Sequence, residues 1–379
     1  MAEKYLPYGR QIVDEEDIRA VADVLRSDWL TTGPMVERFE ETVCRYVGAP
    51  YGVAVSSGTA ALHAAMFALG VAPGDEVIVP AMTFAATANC VVYQGAKPVF
   101  ADVDPATLLL EPDTVEALIT PRTKAVIGVD YAGQPCDWEA LRQVADRHGL
   151  ALVADSCHAL GATLRGRRVG SLADITCFSF HPVKHITTGE GGMAVTADGA
   201  LARRMRLFRN HGISTSAAQR EKAGEWFYEM TELGCNYRLT DIQCALGMSQ
   251  MRKLETWLAR RRELAALYGS LLASSREEPA ARPLDIKPGV ESAWHLYVIR
   301  HPQRDAVFRT MRARGIGVNV HYVPVHLHPY YREHWGTGPG LCPAAEAAYA
   351  EILTLPLWPG MEDRDVTHVV SLLRGNNIL

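Results

Sequence analysis

Phe178-Ser179-Phe180-His181-Pro182-Val183-Lys184-His185-Ile186-Thr187-Thr188-Gly189-Glu190-Gly191-Gly192 is the stretch on which the reading of this chain turns. The apolar run Ile175 to Phe180 predicts a strand. It delivers a single lysine, one of seven in the chain, into a loop punctuated by Pro182 and three glycines. An amine in partly apolar surroundings loses some of its preference for the charged form and becomes a nucleophile toward carbonyl carbon. The plainer reading is a solvated lysine after a buried strand. What else the chain supplies decides between the two.

Working outward, 379 residues suffice for one large domain and a smaller one, placed here at residues 1–250 and 251–379. A hydrophobic content of 48% with 21% charged residues fits a soluble globular protein. The formal net charge of −5 argues against a general nucleic-acid binder. No apolar run is long enough to span a bilayer, and Met1-Ala2-Glu3-Lys4-Tyr5 is not a basic and apolar signal segment, so the cytoplasm is the expected compartment. The cysteines Cys44, Cys90, Cys136, Cys157, Cys177, Cys235, Cys244 and Cys342 form no Cys-x-x-Cys pair. They read as reduced, mostly buried small hydrophobes rather than a disulfide frame or zinc site.

Short apolar runs alternate with helical patterns through the first two thirds of the chain. Asp14 is placed to cap a helix with Ile18, Val21, Ala22 and Leu25 on one face. Val53 to Val55 precedes a small-residue helix from Thr59 to Leu69, and Glu76 to Val79 precedes another from about Thr83. Val99 to Ala101, Ala125 to Val129 and Ala151 to Ala154 continue the series, with Asp137 capping an intervening helix. Such alternation implies an α/β fold with a mostly parallel sheet, whose ligands bind beyond the carboxyl ends of the strands. Met251 to Leu272 reads as one long helix whose Arg260-Arg261-Arg262 run is a solvated face. Ser274 to Val290 reads as a connecting loop. Trp294 to Ile299 and Ile316 to Val320 read as strands of the smaller α+β domain.

Three features join the lysine. Ser56-Ser57-Gly58-Thr59 ends a strand and opens a helix, a junction that binds anions or merely caps. Asp155 ends the strand Ala151 to Ala154, where a carboxylate can pair with a protonated ring nitrogen or cap a turn. His158 follows three residues on, and Ser179 offers a further hydroxyl donor or a local backbone bond. An anion cradle, a strand-end aspartate and a downstream lysine on one α/β pattern form the set that pyridoxal 5'-phosphate (PLP) needs.

At this point the chain resembles the DegT/DnrJ/EryC1/StrS sugar aminotransferases, fold type I PLP enzymes. The resemblance is carried by Ser57 to Leu62, Asp155 to Gly161, Phe178 to Gly192, Asn236 to Asp241 and His321 to Pro324, and runs from about Tyr8 to the end. Together with Val129 to Gly133, the lysine loop is nearest to the family's pseudaminic-acid branch, whose members form UDP-4-amino-4,6-dideoxy-N-acetyl-β-L-altrosamine. The resemblance implies that Lys184 forms the Schiff base and transfers protons. It implies that Asp155 pairs with the pyridine nitrogen beside His158, and that Ser57, Gly58, Thr59 and Ser179 hold the phosphate. Phe84 would stack on the ring, and Asn236 would reach the neighbouring subunit's cofactor in a homodimer with shared sites. Tyr8, Asp28, Trp29, Leu30, Thr31, Arg238, His321, Tyr322, Val323 and Pro324 would contact the nucleotide sugar, with glutamate as amino donor. The chain departs from that branch at His185, where proline is usual, and at Gly189, where alanine is usual.

Other readings stand beside these. The sugar could instead be GDP-linked 4-keto-6-deoxymannose or a 3-keto sugar, and a PLP-binding regulator without turnover is the rival of another class. A dehydratase of the family would carry histidine at position 184, and a nicotinamide enzyme would need Gly-x-Gly-x-x-Gly after a strand. His321, His326 and His328 suggest a metal cluster, but Pro324 and Pro329 break the segment and no acidic residue stands near in sequence, so no metal is expected. Arg238 binds a substrate anion or pairs with Asp241, and Cys157 lacks the oxyanion site a thiol nucleophile requires. Purified protein should be yellow, and borohydride reduction should fix the cofactor on Lys184; mass-spectrometric mapping to another lysine contradicts the assignment.

Overall fold

The computed structural model describes residues 5–215, 220, 224–273 and 281–374. In the large sheet, β1 (Tyr51–Val55), β2 (Glu76–Pro80), β3 (Lys97–Ala101), β4 (Thr123–Val129) and β5 (Ala151–Asp155) arise from the apolar runs seen in sequence. Two short strands, β6 (Thr163–Leu164) and β7 (Arg167–Arg168), intervene before β8 (Ile175–Ser179) and β9 (Gly192–Thr196). The order is β1-β9-β8-β5-β4-β2-β3. Pairs along β3, β2, β4, β5 and β8 are parallel, while β9 runs antiparallel to both β8 and β1. Every residue of β2 and β9 is buried, as expected for strands covered on both faces by crossover helices.

The helix Gly58–Ala68 explains its own composition. Ala61, Ala64, Ala65 and Met66 have no exposed surface and Leu62 almost none, so the helix needs apolar residues all round rather than a stripe. Its start is one residue earlier than the pattern from Thr59 suggested, because Ser57 takes the cap and accepts from Ala60 N. The helix expected from Thr83 begins at Ala86, since Thr83 is used in a hydroxyl pair with Thr87. Asp14 caps Glu15–Leu25 in a capping box and Asp137 caps Trp138–His148, both as read. The apolar face of the first helix is another matter: Ile18 and Leu25 are exposed, and Val24 is buried instead.

Beyond residue 250 the structure corrects four expectations. The long helix runs from Leu254 to Ala273, and Met251 belongs to the helix Asp241–Met251 before it. Its arginine run is not a solvated face. Arg261 is buried and donates to the carbonyls of Trp294, His295 and Leu357, while Arg260 and Arg262 pair with Asp363 and Glu291. Residues 274–280 of the expected loop lie outside the described residues, and the remainder carries β10 (Arg282–Pro283) and β11 (Val290–Glu291). Finally, β12 (Tyr297–Arg300) pairs with β10 and with β13 (Ile352–Leu355), but Ile316 to Val320 forms only isolated bridges to Leu6 and Thr354. Its backbone bonds are divided between two partners: Gly317 N donates to Leu6 O, and Asn319 exchanges bonds with Thr354.

Two apolar cores result. The first surrounds the large sheet and takes in Val325, Tyr331, Cys342, Ala345 and Ala348 from far down the chain. The second gathers Leu264, Tyr268, Tyr297, Ile299, Met311, Leu353, Val366 and Val369 around β12 and β13. Between β8 and β9 the lysine loop closes as a hairpin, with Phe180 N donating to Gly191 O and Thr188 N to Phe180 O. At its foot, a Cβ on Gly192 would lie 2.3 Å from Ser57 O, a backbone atom that cannot step aside. Gly192→Ala should therefore lower stability by about 2–3 kcal/mol through overpacking, read as a lower urea midpoint; a midpoint equal to the parent's contradicts this contact.

Candidate active site

The hairpin turn places Lys184 just past the carboxyl ends of β5 and β8, with Lys184 N donating to His181 O. The residue is half-buried, and among the described residues its amine has no ion-pair partner. Nζ lies 3.4 Å from His295 Nε2, a residue that the sequence motifs did not mark. Four buried imidazoles gather here: His158, His185, His295 and His321. The rings of His158 and His295 are 4.5 Å apart, and those of His185 and His295 5.6 Å. Burial pushes the Lys184 amine below its ordinary range, against the pull of Cys157 and Asp155. Burial also drives all four imidazoles down, His321 to about 3 and the other three well below their usual range.

Asp155 ends β5 as read and is almost wholly buried. Its Oδ2 accepts from Thr87 Oγ1 at 2.7 Å, and Oδ1 from Cys157 N at 3.3 Å. Thr83 Oγ1 in turn lies 2.7 Å from Thr87 Oγ1, so a hydroxyl pair orients this carboxylate. Asp130, in the run Val129 to Gly133, supports the turn from beneath, and nothing in its sequence spacing marks that role. It accepts from Ser156 Oγ at 2.6 Å and from Trp138 Nε1 and Cys136 N at 2.9 Å each. Burial raises its carboxyl to about 7, against those hydrogen bonds. His158 Nε2 meets Tyr322 Oη at 2.9 Å, which brings two residues expected at the site into contact. Burial holds the Cys157 thiol well above its ordinary value, so it stays protonated.

The anion junction lies alongside. Ser57 Oγ takes Ala60 N, leaving the first-turn N–H groups of Gly58 and Thr59, which nothing within the helix can satisfy. A Cβ on Gly58 would stand 2.9 Å from Cys157 Sγ and from Ser179 Cβ, so glycine lets this turn close against the Asp155 and lysine segments. Ser179 Oγ accepts from His181 N at 3.4 Å. A pocket of about 360 Å³ opens beside Ser57 and Thr59, lined also by Ala60, His63, Tyr93 and Tyr237. Phe84 stands exposed, its ring 5.7 Å from that of Tyr322.

The residues expected to meet the sugar nucleotide fall into two groups. Tyr8, half-buried, packs its ring 5.3 Å from His321. His321 Nδ1 lies 2.8 Å from Thr354 Oγ1, and Pro324 precedes Val325, whose N–H donates to Ala81 O. With Tyr322 and Val323, these sit on the His158 side. Asp28, Trp29, Leu30 and Thr31 are exposed and lie against the start of the helix Asp241–Met251, where Asp241 N donates to Leu30 O. Arg238 donates to Asn210 Oδ1 at 2.9 Å, not to Asp241, which accepts from Gly33 N and Met35 N. Asn236 is exposed beside Tyr237, whose carbonyl accepts from Ser56 N. His326, for which no acidic neighbour was visible in sequence, meets Glu346 at 2.9 Å, twenty residues on. Among the described residues, no group of three His, Cys, Asp or Glu could hold a metal ion.

The neutral imidazoles make stability pH-dependent. Unfolded histidines take up protons near pH 6.5. Folded His63, pushed to about 4 by burial, and the four site imidazoles do so only at lower pH. Between those values the unfolded state binds more protons, so this stability is complete above about 6.5 and is lost as pH falls, by up to ~1.4 kcal/mol per unit per group. The urea midpoint should drop progressively from pH 7.5 to 5; an unchanged or rising midpoint contradicts the burial of neutral rings.

With this geometry in view, the likenesses to known proteins carry weight. Residues 11–374 match the DegT/DnrJ/EryC1/StrS aminotransferase family. The chain is 40% identical over 378 residues to the spore coat polysaccharide biosynthesis protein SpsC of Bacillus subtilis, spanning 98% of this chain and 96% of that one. The PLP form of Spr1654, a putative sugar aminotransferase of Streptococcus pneumoniae, superposes with a TM-score of 0.91 at 33% identity, over 98% of each chain. Helicobacter pylori PseC, an aminotransferase involved in the biosynthesis of pseudoaminic acid, does so with a TM-score of 0.90 at 32% identity, again over 98% of each. The strand order, the lysine hairpin and the full-length match agree, and the chain belongs to the DegT/DnrJ/EryC1/StrS family of PLP-dependent, fold type I sugar aminotransferases.

Proposed function

We propose that the protein transfers the amino group of glutamate to the 4-keto carbon of a UDP-linked, N-acetylated 6-deoxy sugar in the cytoplasm, giving a 4-amino-4,6-dideoxy sugar nucleotide. The observation that carries this reading is the setting of Lys184: a half-buried lysine whose amine has no ion pair among the described residues, beside a buried strand-end carboxylate and a glycine-gated helix N-terminus. The likeness to PseC supports the choice of sugar.

The residues present fit PLP. His158 Nδ1 and His295 Nδ1 are buried with no partner among the described residues, as in a site shaped for more than its own side chains. The Gly58 and Thr59 N–H groups, with the Ser57 and Ser179 hydroxyls, would hold the phosphate, helped by the helix dipole. Asp155, oriented by Thr87, would keep a proton on the ring nitrogen, with His158 beside it, and the exposed ring of Phe84 would stack on the pyridine. Bound there, the cofactor supplies a carbonyl that accepts and passes on an amino group and a cationic ring that draws electrons from the reacting carbon. Lys184 Nζ is the anchoring nucleophile. Once free, it is the base that takes the α-proton of the amino donor and returns a proton to C4 of the sugar.

Tyr8, Asp28 to Thr31, Arg238 and His321 to Pro324 would line the way for the sugar nucleotide, Arg238 facing its diphosphate. Exposed apolar side chains support a homodimer with shared sites: Ile18, Leu25, Trp29 and Leu30 near the N-terminus, and Trp226, Phe227, Met230 and Leu233 ahead of Asn236. Asn236 would then serve the neighbouring subunit's phosphate. Donor and sugar share one lysine in turn, so initial-rate plots with glutamate and a UDP-4-keto-6-deoxy sugar should give parallel lines; intersecting lines contradict the scheme. Turnover should be faster with the UDP-linked than with the GDP-linked 4-keto sugar. Lys184→Ala should lower it by about 10³-fold or more with the fold retained.

A further inference from the structure

His295 lies outside every motif that marks the site, yet its seat is fixed from several sides. Ala293 N donates to Gly133 O at 2.9 Å, and Leu296 N to Ala132 O at 3.2 Å. His185 Nε2 donates to Ala293 O at 3.0 Å, and Arg261 reaches the carbonyls of Trp294 and His295. Trp294 is held at φ +49°, and a Cβ on Gly133 would come within 2.6 Å of Trp294 N, so the segment is pressed onto the large sheet's loops. This is more constraint than a space-filling ring requires, and it aims Nε2 at Lys184 Nζ, 3.4 Å away.

The other ring nitrogen fixes the proton. His295 Nδ1 is buried without a partner among the described residues. A buried N–H left unpaired is rarer than an unpaired acceptor lone pair, which assigns the proton to Nε2. Nε2–H then points at the lysine nitrogen and needs a lone pair there, which only the unprotonated amine has. We propose that His295 holds Lys184 as the unprotonated, aimed nucleophile by donating Nε2–H to the lone pair of Nζ. The proposal rests on the reading of Lys184 as the reacting amine.

The neighbours act on this balance from each packed element. Asp155 and Cys157, from the end of β5, favour the charged amine. Burial opposes them, and His295 sides with burial. His158, His185 and His321 are neutral rings that add no counter-charge, and the Arg261 cation lies against the same segment and disfavours a positive charge on His185 and His295.

The test uses the full chain freed of cofactor. Acetic anhydride labelling of Lys184 is followed against pH by peptide mass spectrometry in the parent, His295→Phe and His295→Gln. The phenyl ring keeps the volume and removes the donor, so labelling at pH 7.5 should fall about 5–10-fold as the midpoint rises toward one unit higher. The Gln amide retains an N–H and should stay within about twofold of the parent. Labelling of His295→Phe as fast as the parent overturns the proposal. If that variant does not fold, ¹⁵N shifts of His295 in the parent decide: a proton on Nε2 supports the proposal and a proton on Nδ1 overturns it. Borohydride fixation of the cofactor at a lysine other than Lys184 sinks the functional reading and this proposal together. Fixation at Lys184 with an unchanged His295→Phe profile sinks only the role of His295.

Discussion

Lys184 is an amine surrounded by imidazoles, with no ion pair among the described residues, and much of the architecture around it keeps it that way. An ion pair would fix the amine in its charged form, and full exposure would let water do the same. The structure avoids both. His158, His185, His295 and His321 fill the space with rings too buried to take up a second proton, while the Asp155 carboxylate is occupied by Thr87 and the Cys157 backbone. The cost is carried elsewhere: Asp130, buried under the same turn, sits near the point of protonation because burial outweighs its three hydrogen bonds.

The sheet determines which residues can take part. A reversal at β9, antiparallel between β8 and β1, turns the lysine loop into a hairpin whose last residue touches the anion junction, Gly192 against Ser57. Gly58 lies against Ser179 and Cys157 from the adjoining strand ends. Cradle, carboxylate and amine thus meet at the ends of β1, β5 and β8, where the crossover helices of an α/β sheet leave an opening. A larger side chain at either glycine would separate them.

Residues that share a strand end or a short loop were legible in the sequence, because period and punctuation locate them. Asp155 follows an apolar run, Gly58 follows another, and Lys184 leaves a third. His295 gave no such sign. It lies 111 positions from Lys184 and reaches it because Ala293 and Leu296 dock their backbone on Gly133 and Ala132 beside the large sheet. Arg261 did give a sign, and the charge run hid it. Leu254, Leu258, Arg261, Ala265, Tyr268 and Leu272 recur at intervals of four and three, so the middle arginine lies on the buried face of its helix. Ile18 and Leu25 err the other way: their spacing is amphipathic, but the face they form remains open on this chain.

His185 shows how a departure from the family pattern can matter physically. Proline at that position stiffens the loop by fixing φ and cannot donate a hydrogen bond. Histidine leaves the backbone freer, and its ring reaches across to Ala293 O, two residues before His295. The loop that carries Lys184 and the segment that carries His295 are thereby tied to each other, with Arg261 bracing the second from behind. Stiffness that a ring closure would have supplied locally comes instead from a tertiary contact. That contact also fixes the separation of Lys184 and His295, on which the proposed donation from Nε2 to Nζ depends.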